Sequence, residues 1–296
     1  MPFRRALCRP VNPKTDPQAT APPAAAGQAQ ADAYDTWHDP GDLARYAYHS
    51  DPDPLTAFLR DRRIGLAVDL ALRMAGAAPA DWTALVTCGG VGGEGTYLAG
   101  RGFREVTVSD VSEAALSVCR RRDPRLLTIR ADGEATGLPD GCHDLVLVRD
   151  GLHHLPRPGA GLAEMLRLAR RAVVVMEPAT GAVPALLGTA WERHGGSWNY
   201  VYRWDTALFA QTVFSALLRT DYAVAGVRLW DHAPVVGRLV RRLPGGARLA
   251  AARGLYGTLD TLARPFGNNF VGVVVKNPVW LPPGARLPSK GRETSF

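Results

Sequence analysis

The stretch ALVTCGGVGGEGTYLAGRGFREVTVSD, residues 84–110, decides how the chain is to be read. ALVTC (84–88) is a short apolar run closed by glycines, the pattern of a buried strand. Residues 95–102 then take up helical spacing, and VTVSD (106–110) is a second strand. The intervening loop, Cys88 to Gly95, is rich in glycine, whose missing Cβ lets backbone approach a ligand closely. Gly90, Gly92 and Gly95 satisfy GxGxxG, and Asp110 lies 20 positions past Gly90. The same spacing marks a dinucleotide-binding fingerprint. At this point a nucleotide-dependent (NAD(P)) oxidoreductase stays open as an alternative.

Working outward, LLTIRAD (126–132), DLVLV (144–148) and AVVVMEP (172–178) are further strands, separated by the helical patterns SEAALSVCRRR and AGLAEMLRLA. Alternating strands and helices predict an α/β fold: a doubly wound, mostly parallel sheet covered on both faces. YAVAGVRLW (222–230) and FVGVVVKN (270–277) bring the sheet to seven strands. Residues 1–32 are Pro-, Ala- and Gln-rich and read as a disordered tail, and 281–296 as a loose one. Residues 33–80 read as an N-terminal helical lid, with apolar helical spacing over 55–76. The main domain spans 81–280, with a helical, aromatic insertion at 184–220 and an Arg-rich helical excursion at 233–266. That excursion interleaves apolar and basic residues, which suits either a solvated helix pair or a membrane-surface clamp.

In such a sheet, ligands bind beyond the carboxyl ends of the strands, where strand order reverses. The polar residues gather at those ends: Asp110 after the second strand, Asp132 after the third, then Arg149, Asp150, His153 and His154 after the fourth, and Glu177 after the fifth. The segment ADGEATGLPDGCHDLVLVRDGLHHLPRP (131–158) closely resembles the class I S-adenosylmethionine-dependent methyltransferases of the ubiquinone/menaquinone type (methyltransferase type 11). The resemblance covers residues 82–180. It implies S-adenosyl-L-methionine as cofactor, a Rossmann-like methyltransferase fold and an antiparallel terminal strand. It also implies roles. Cys88, Gly89, Gly90 and Gly92 would line the methionine half of the cofactor. Asp110 would bind the ribose hydroxyls, Val111 would pack on adenine, and Asp132 and Gly133 would meet the adenine edge. Backbone near Arg149 would support the sulfonium end. The chain departs from the pattern at the end of the first strand, where Val86 or Thr87 replaces the usual acid, and at Cys88, which replaces a glycine.

Methyl transfer from a sulfonium is a direct displacement that rests on alignment and exclusion of water. A hydroxyl acceptor also needs a base, and His153 or His154 is the candidate, because imidazole titrates near neutral pH. Asp150 and Glu177 are expected to face the acceptor, with the aromatic stretch Trp191, His194, Trp198, Tyr200, Tyr202 and Trp204 as the pocket wall and Tyr46, Tyr48 and His49 closing over it. The four cysteines, Cys8, Cys88, Cys119 and Cys142, form no CxxC pair, so no structural zinc site is expected; no metal ligand is assigned, and a divalent ion held by Asp150 and Glu177 is the alternative to their hydrogen-bonding the acceptor directly. The net charge of +7 comes from 35 basic residues, of which only Lys14, Lys276 and Lys290 are lysines. The arginines are scattered, so no nucleic-acid partner is expected, and DGLHHL is not the motif of base-amino methyltransferases. No apolar run reaches the ~18 residues of a membrane span. The start has two arginines but no apolar stretch behind them, so the expectation is a cytoplasmic enzyme acting on a small-molecule acceptor in specialised metabolism or biosynthesis, with oligomeric state left open.

Overall fold

A computed structural model describes residues 25–194, 197–217 and 221–288. Among the described residues, nine strands form two sheets. The main strands are β1 (Thr83–Val86), β2 (Glu105–Asp110), β3 (Leu127–Arg130), β4 (His143–Arg149), β5 (Ala169–Pro178), β8 (Tyr222–Leu229) and β9 (Asn269–Lys276). They line up in the order β3-β2-β1-β4-β5-β9-β8. The first five run parallel, while β9 is antiparallel to both β5 and β8. The remaining strands, β6 (Trp191–His194) and β7 (Ser197–Tyr200), form a separate hairpin.

The central strands β1, β4, β5 and β9 are buried on both faces and read as nearly continuous apolar runs, whereas the edge strand β3 is half-exposed. Successive side chains still alternate. Ala84, Val86, Leu145, Leu147, Val174 and Met176 enter one core, and Leu85, Val146, Val148, Val173 and Val175 the other. Helix α2 (Pro54–Ala75) covers the first core with Ile64, Ala67, Val68, Ala71 and Met74. Its ends follow from sequence. Asp53 accepts from Thr56 N, Pro54 opens the first turn, and Gly76 closes the helix at φ 61°. Helices α5 (Pro158–Leu168) and α7 (Thr206–Ala216) cover the second core. Helix α4 (Glu113–Arg122) is capped by Ser112, whose hydroxyl accepts from Ala115 N.

Several expectations change. The stretch read as tail becomes helix α1 (Ala25–Trp37) from Ala25 on, while residues 1–24 and 289–296 lie outside the described residues. Residues 54–75 are a layer of the main core and not part of a lid. The aromatic insertion is not helical throughout: a short helix α6 (Ala182–Leu187) precedes the β6–β7 hairpin, and α7 follows it. Helices α8 (Ala233–Val240) and α9 (Gly245–Leu262) pack onto α2 through Leu59, Val236, Val240, Ala252 and Tyr256. Among the described residues no helix is long and apolar enough to cross a membrane.

Candidate active site

Strand order reverses between β1 and β4, and a cavity of about 480 Å³ opens at their carboxyl ends. Cys88, Gly90, Asp110, Val111, Asp132, Gly133, Asp150 and His154 all line it. Two backbone donors hold Asp110: Gly90 N gives to Oδ2 at 2.8 Å and Ser112 N to Oδ1 at 2.9 Å. Each oxygen keeps a further lone pair for a ligand. Burial pushes the Asp110 carboxyl up, and these backbone hydrogen bonds work against that rise. Asp132 accepts from Glu134 N at 2.9 Å. The two acids follow neighbouring parallel strands, which is why both reach one crevice.

The glycine loop divides into two roles. At Gly90, φ is 49° and an added Cβ would meet open space, so this backbone borders the cavity. At Gly92, φ is 81° and a Cβ would fall 2.4 Å from Cys119 Sγ. Gly92 and Gly89 are therefore packing positions, and neither lines the cavity. Cys88 holds φ 50°, a left-handed conformation that a glycine would adopt more easily. Burial, together with nearby carboxylates led by Asp110, pushes its thiol well up. Thr87, which stands near the missing acid, is buried and donates its N–H to Leu147 O.

Other assignments move. Glu177 is fully buried, with one oxygen accepting from Gly151 N (2.9 Å) and Leu152 N (2.8 Å) and the other from His153 Nδ1 (2.6 Å). It fixes the loop after β4 and does not face an acceptor. The histidines sit on a single turn, Leu152–His154, ahead of α5 rather than at its start. Burial opposes charge on His153, but the hydrogen bond to Glu177 and the nearby Glu192 carboxylate outweigh it and push the ring up to about 10. The pair with Glu177 thereby favours the protonated ring. The Arg149 side chain points toward Glu94 (3.4 Å) and the Arg60 carbonyl (3.0 Å) and lines a smaller cavity with Tyr48 and His49, while the residues that follow it, Asp150 and Gly151, line the main cavity.

Tyr46 is buried outside the cavity, where its hydroxyl accepts from Asp39 N and its ring stacks on His38. Tyr200 is exposed and packs edge-on against Trp191. Trp198 pairs with Arg193 in the hairpin, and its side chain lies outside the described ones. Asp150 holds φ 51° and pairs with Arg63. Burial would raise its carboxyl, but the Arg63 guanidinium outweighs that and holds it below the usual range. Asp150 also lines an adjoining cavity of about 380 Å³ with Arg63, Glu192, Arg203 and Asp231.

Within the stretch read as a lid, sequence reasoning chose Tyr46, Tyr48 and His49, whereas the residues that line the main cavity are Tyr34 and Trp37 of α1 and His38 just past its end. The Asp35 carboxylate anchors that helix by accepting from Ser112 Oγ (2.6 Å) and Ala114 N (3.0 Å). The spacing 34, 37, 38 is one helical face and was the available signal. Asn199 was missed as well: its amide donates to the His153 carbonyl at 2.9 Å and lies 3.1 Å from His154 Nδ1.

Residues 86–176 match a family model described as a methyltransferase domain. No curated protein matches the chain. Among solved structures, the protein bound to the Haloferax volcanii Trm112 methyltransferase activator aligns at TM-score 0.55 and 15% identity, over 83% of this chain and 96% of that one. The plantazolicin methyltransferase BamL aligns at TM-score 0.53 and 16% identity, over 85% and 96%. Phosphoethanolamine N-methyltransferase 2 of Haemonchus contortus aligns at TM-score 0.49 and 14% identity over 72% of this chain, which spans only 52% of that enzyme. Residues 86–176 thus match a methyltransferase-domain model, and the sheet that holds them has the Rossmann-like methyltransferase fold. The oxidoreductase alternative is not favoured, because a dinucleotide-binding sheet runs parallel in the order 3-2-1-4-5-6, whereas here antiparallel β9 lies between β5 and β8.

Proposed function

We propose that this chain, a methyltransferase by its domain and fold, uses S-adenosylmethionine to methylate a hydroxyl or amine of a small-molecule acceptor. The observation that carries the reading is the pair Asp110 and Asp132, which line one cavity beside the Gly90 backbone. When bound, the cofactor supplies a methyl group on a positively charged sulfur. The chain's residues hold and enclose it. Asp110 receives the ribose hydroxyls through its two remaining lone pairs, Val111 packs on the adenine, and Asp132 with Gly133 borders the adenine edge.

Tyr34, Trp37 and His38, which line the cavity, would cover the bound cofactor and exclude water. Exclusion matters here, because the charge on sulfur disappears during transfer and a dry, fixed site favours that change. Asp150 and His154 mark the reacting end, and the adjoining cavity of about 380 Å³ receives the acceptor. Of the two histidines, His154 is the one at the cavity wall, whereas His153 is committed to Glu177.

The test is incubation of the full chain with methyl-labelled S-adenosylmethionine and a panel of hydroxyl and amine acceptors. Labelled product together with S-adenosylhomocysteine is the expected result. A chain that binds no adenosyl cofactor overturns the reading.

A further inference from the structure

The loop after β4 and the hairpin strand β6 bring two imidazoles and a carboxylate together. One donor atom each from His153, His154 and Glu192 lies within 4.8 Å of the others. The two rings are 4.1 Å apart between centroids, and His153 Nε2 is 3.6 Å from Glu192 Oε2. We propose that His153, His154 and Glu192 form a binding site for one divalent transition-metal ion at the junction of the two cavities.

Three observations support this. The first is the ligand set: imidazole nitrogen with one carboxylate suits zinc, manganese, cobalt or iron(II), and does not suit magnesium or calcium, which prefer oxygen alone. The second is the support behind it. Metal-binding histidines commonly donate their other ring N–H to a carboxylate, which fixes the tautomer and turns the free nitrogen to the ion. Glu177 is fully buried and accepts from His153 Nδ1 at 2.6 Å, so Nε2 is the nitrogen directed at Glu192. Two backbone N–H groups in turn hold Glu177, which makes the arrangement rigid. In the metal-free protein the Nε2 proton faces Glu192; an ion takes that place. The third is location. His154 lines the cofactor cavity, Glu192 lines the adjoining one, and Asp150 lines both.

Three protein ligands leave coordination positions open, as in sites that meet a substrate. The ion's role rests on the methyl-transfer reading: it would supply Lewis acidity toward an acceptor carrying a hydroxyl and an adjacent oxygen. The site itself does not depend on that reading. The register that pairs Glu192 with Asn199 places both on the hairpin face turned to the histidines.

The test is titration of the full chain, stripped of metal and returned to chelator-free buffer, with Co²⁺ followed by visible absorption and with Zn²⁺ followed by calorimetry. Expected is one equivalent bound with micromolar or tighter affinity, weakened about tenfold or more in Glu192→Gln and in His154→Asn. A melting shift with S-adenosylhomocysteine, preserved in Glu192→Gln, shows that the variant is folded. Absence of stoichiometric binding, or equal binding by wild type and Glu192→Gln, overturns the site. Metal binding without any S-adenosylhomocysteine shift upholds the site and removes the methyl-transfer reading.

Discussion

Replacing Asp110 with Asn keeps the shape of the side chain and removes its charge. In the native protein each carboxylate oxygen takes one backbone N–H, from Gly90 at 2.8 Å and from Ser112 at 2.9 Å. An amide has one acceptor oxygen, so one of these N–H groups must face a donor. Losing that bond costs about 1–3 kcal/mol of folding stability. The second effect is on the cofactor. Hydrogen bonds to a charged group contribute about 1.5–3 kcal/mol, so the dissociation constant for S-adenosylhomocysteine should rise about 10- to 150-fold. Calorimetry on both proteins measures it, with circular dichroism confirming the fold. A 2′,3′-dideoxy analogue supplies the missing corner of a double-mutant cycle: against it, wild type and Asp110→Asn should bind alike. If the variant binds S-adenosylhomocysteine within about threefold of wild type, Asp110 does not hold the ribose and the reasoning fails.

Further consequences concern stability. Gly92→Ala forces a Cβ to within 2.4 Å of Cys119 Sγ at φ 81°; a loss of about 2–4 kcal/mol in denaturant titration is expected. Arg63→Met leaves the Asp150 and Asp231 carboxylates without their shared guanidinium, which should cost about 3–5 kcal/mol and lower the melting temperature by several degrees. Burial lowers His143 from 6.5 to about 4, so the folded state favours its neutral ring. That contribution is complete above the unfolded value and is lost as pH falls from 6.5 toward 4, by about 3 kcal/mol. His143→Gln should lack this loss, so the stability gap between variant and wild type, measured from pH 7 to about 4, should shift in the variant's favour; a constant gap contradicts it.

Much of the sheet was legible, because strands buried on both faces leave unmistakable apolar runs, as in Asp144–Val148 and Ala172–Met176. The residues at their ends were legible for the same reason: Asp110, Asp132 and Asp150 reach the cavity as strand order requires. The hairpin was harder. Aromatic residues obscured its alternation, although Gly195-Gly196 between two short runs is a hairpin signal. Helix α1 was hidden by the Ala- and Gln-rich composition that precedes its aromatic face. The strand-end positions of Glu177 and Arg149 were legible, but not the direction of their side chains. Which way a strand-end side chain turns depends on partners brought in by other elements, here the Gly151–His153 backbone and ring for Glu177, and Glu94 for Arg149.

The most direct measurement is calorimetric titration of the full chain with S-adenosylhomocysteine and, separately, with NADH. One adenosyl cofactor should bind per chain with micromolar or tighter affinity, and NADH should give no saturable heat. Saturable binding of NADH with none of S-adenosylhomocysteine contradicts the assignment of the cavity.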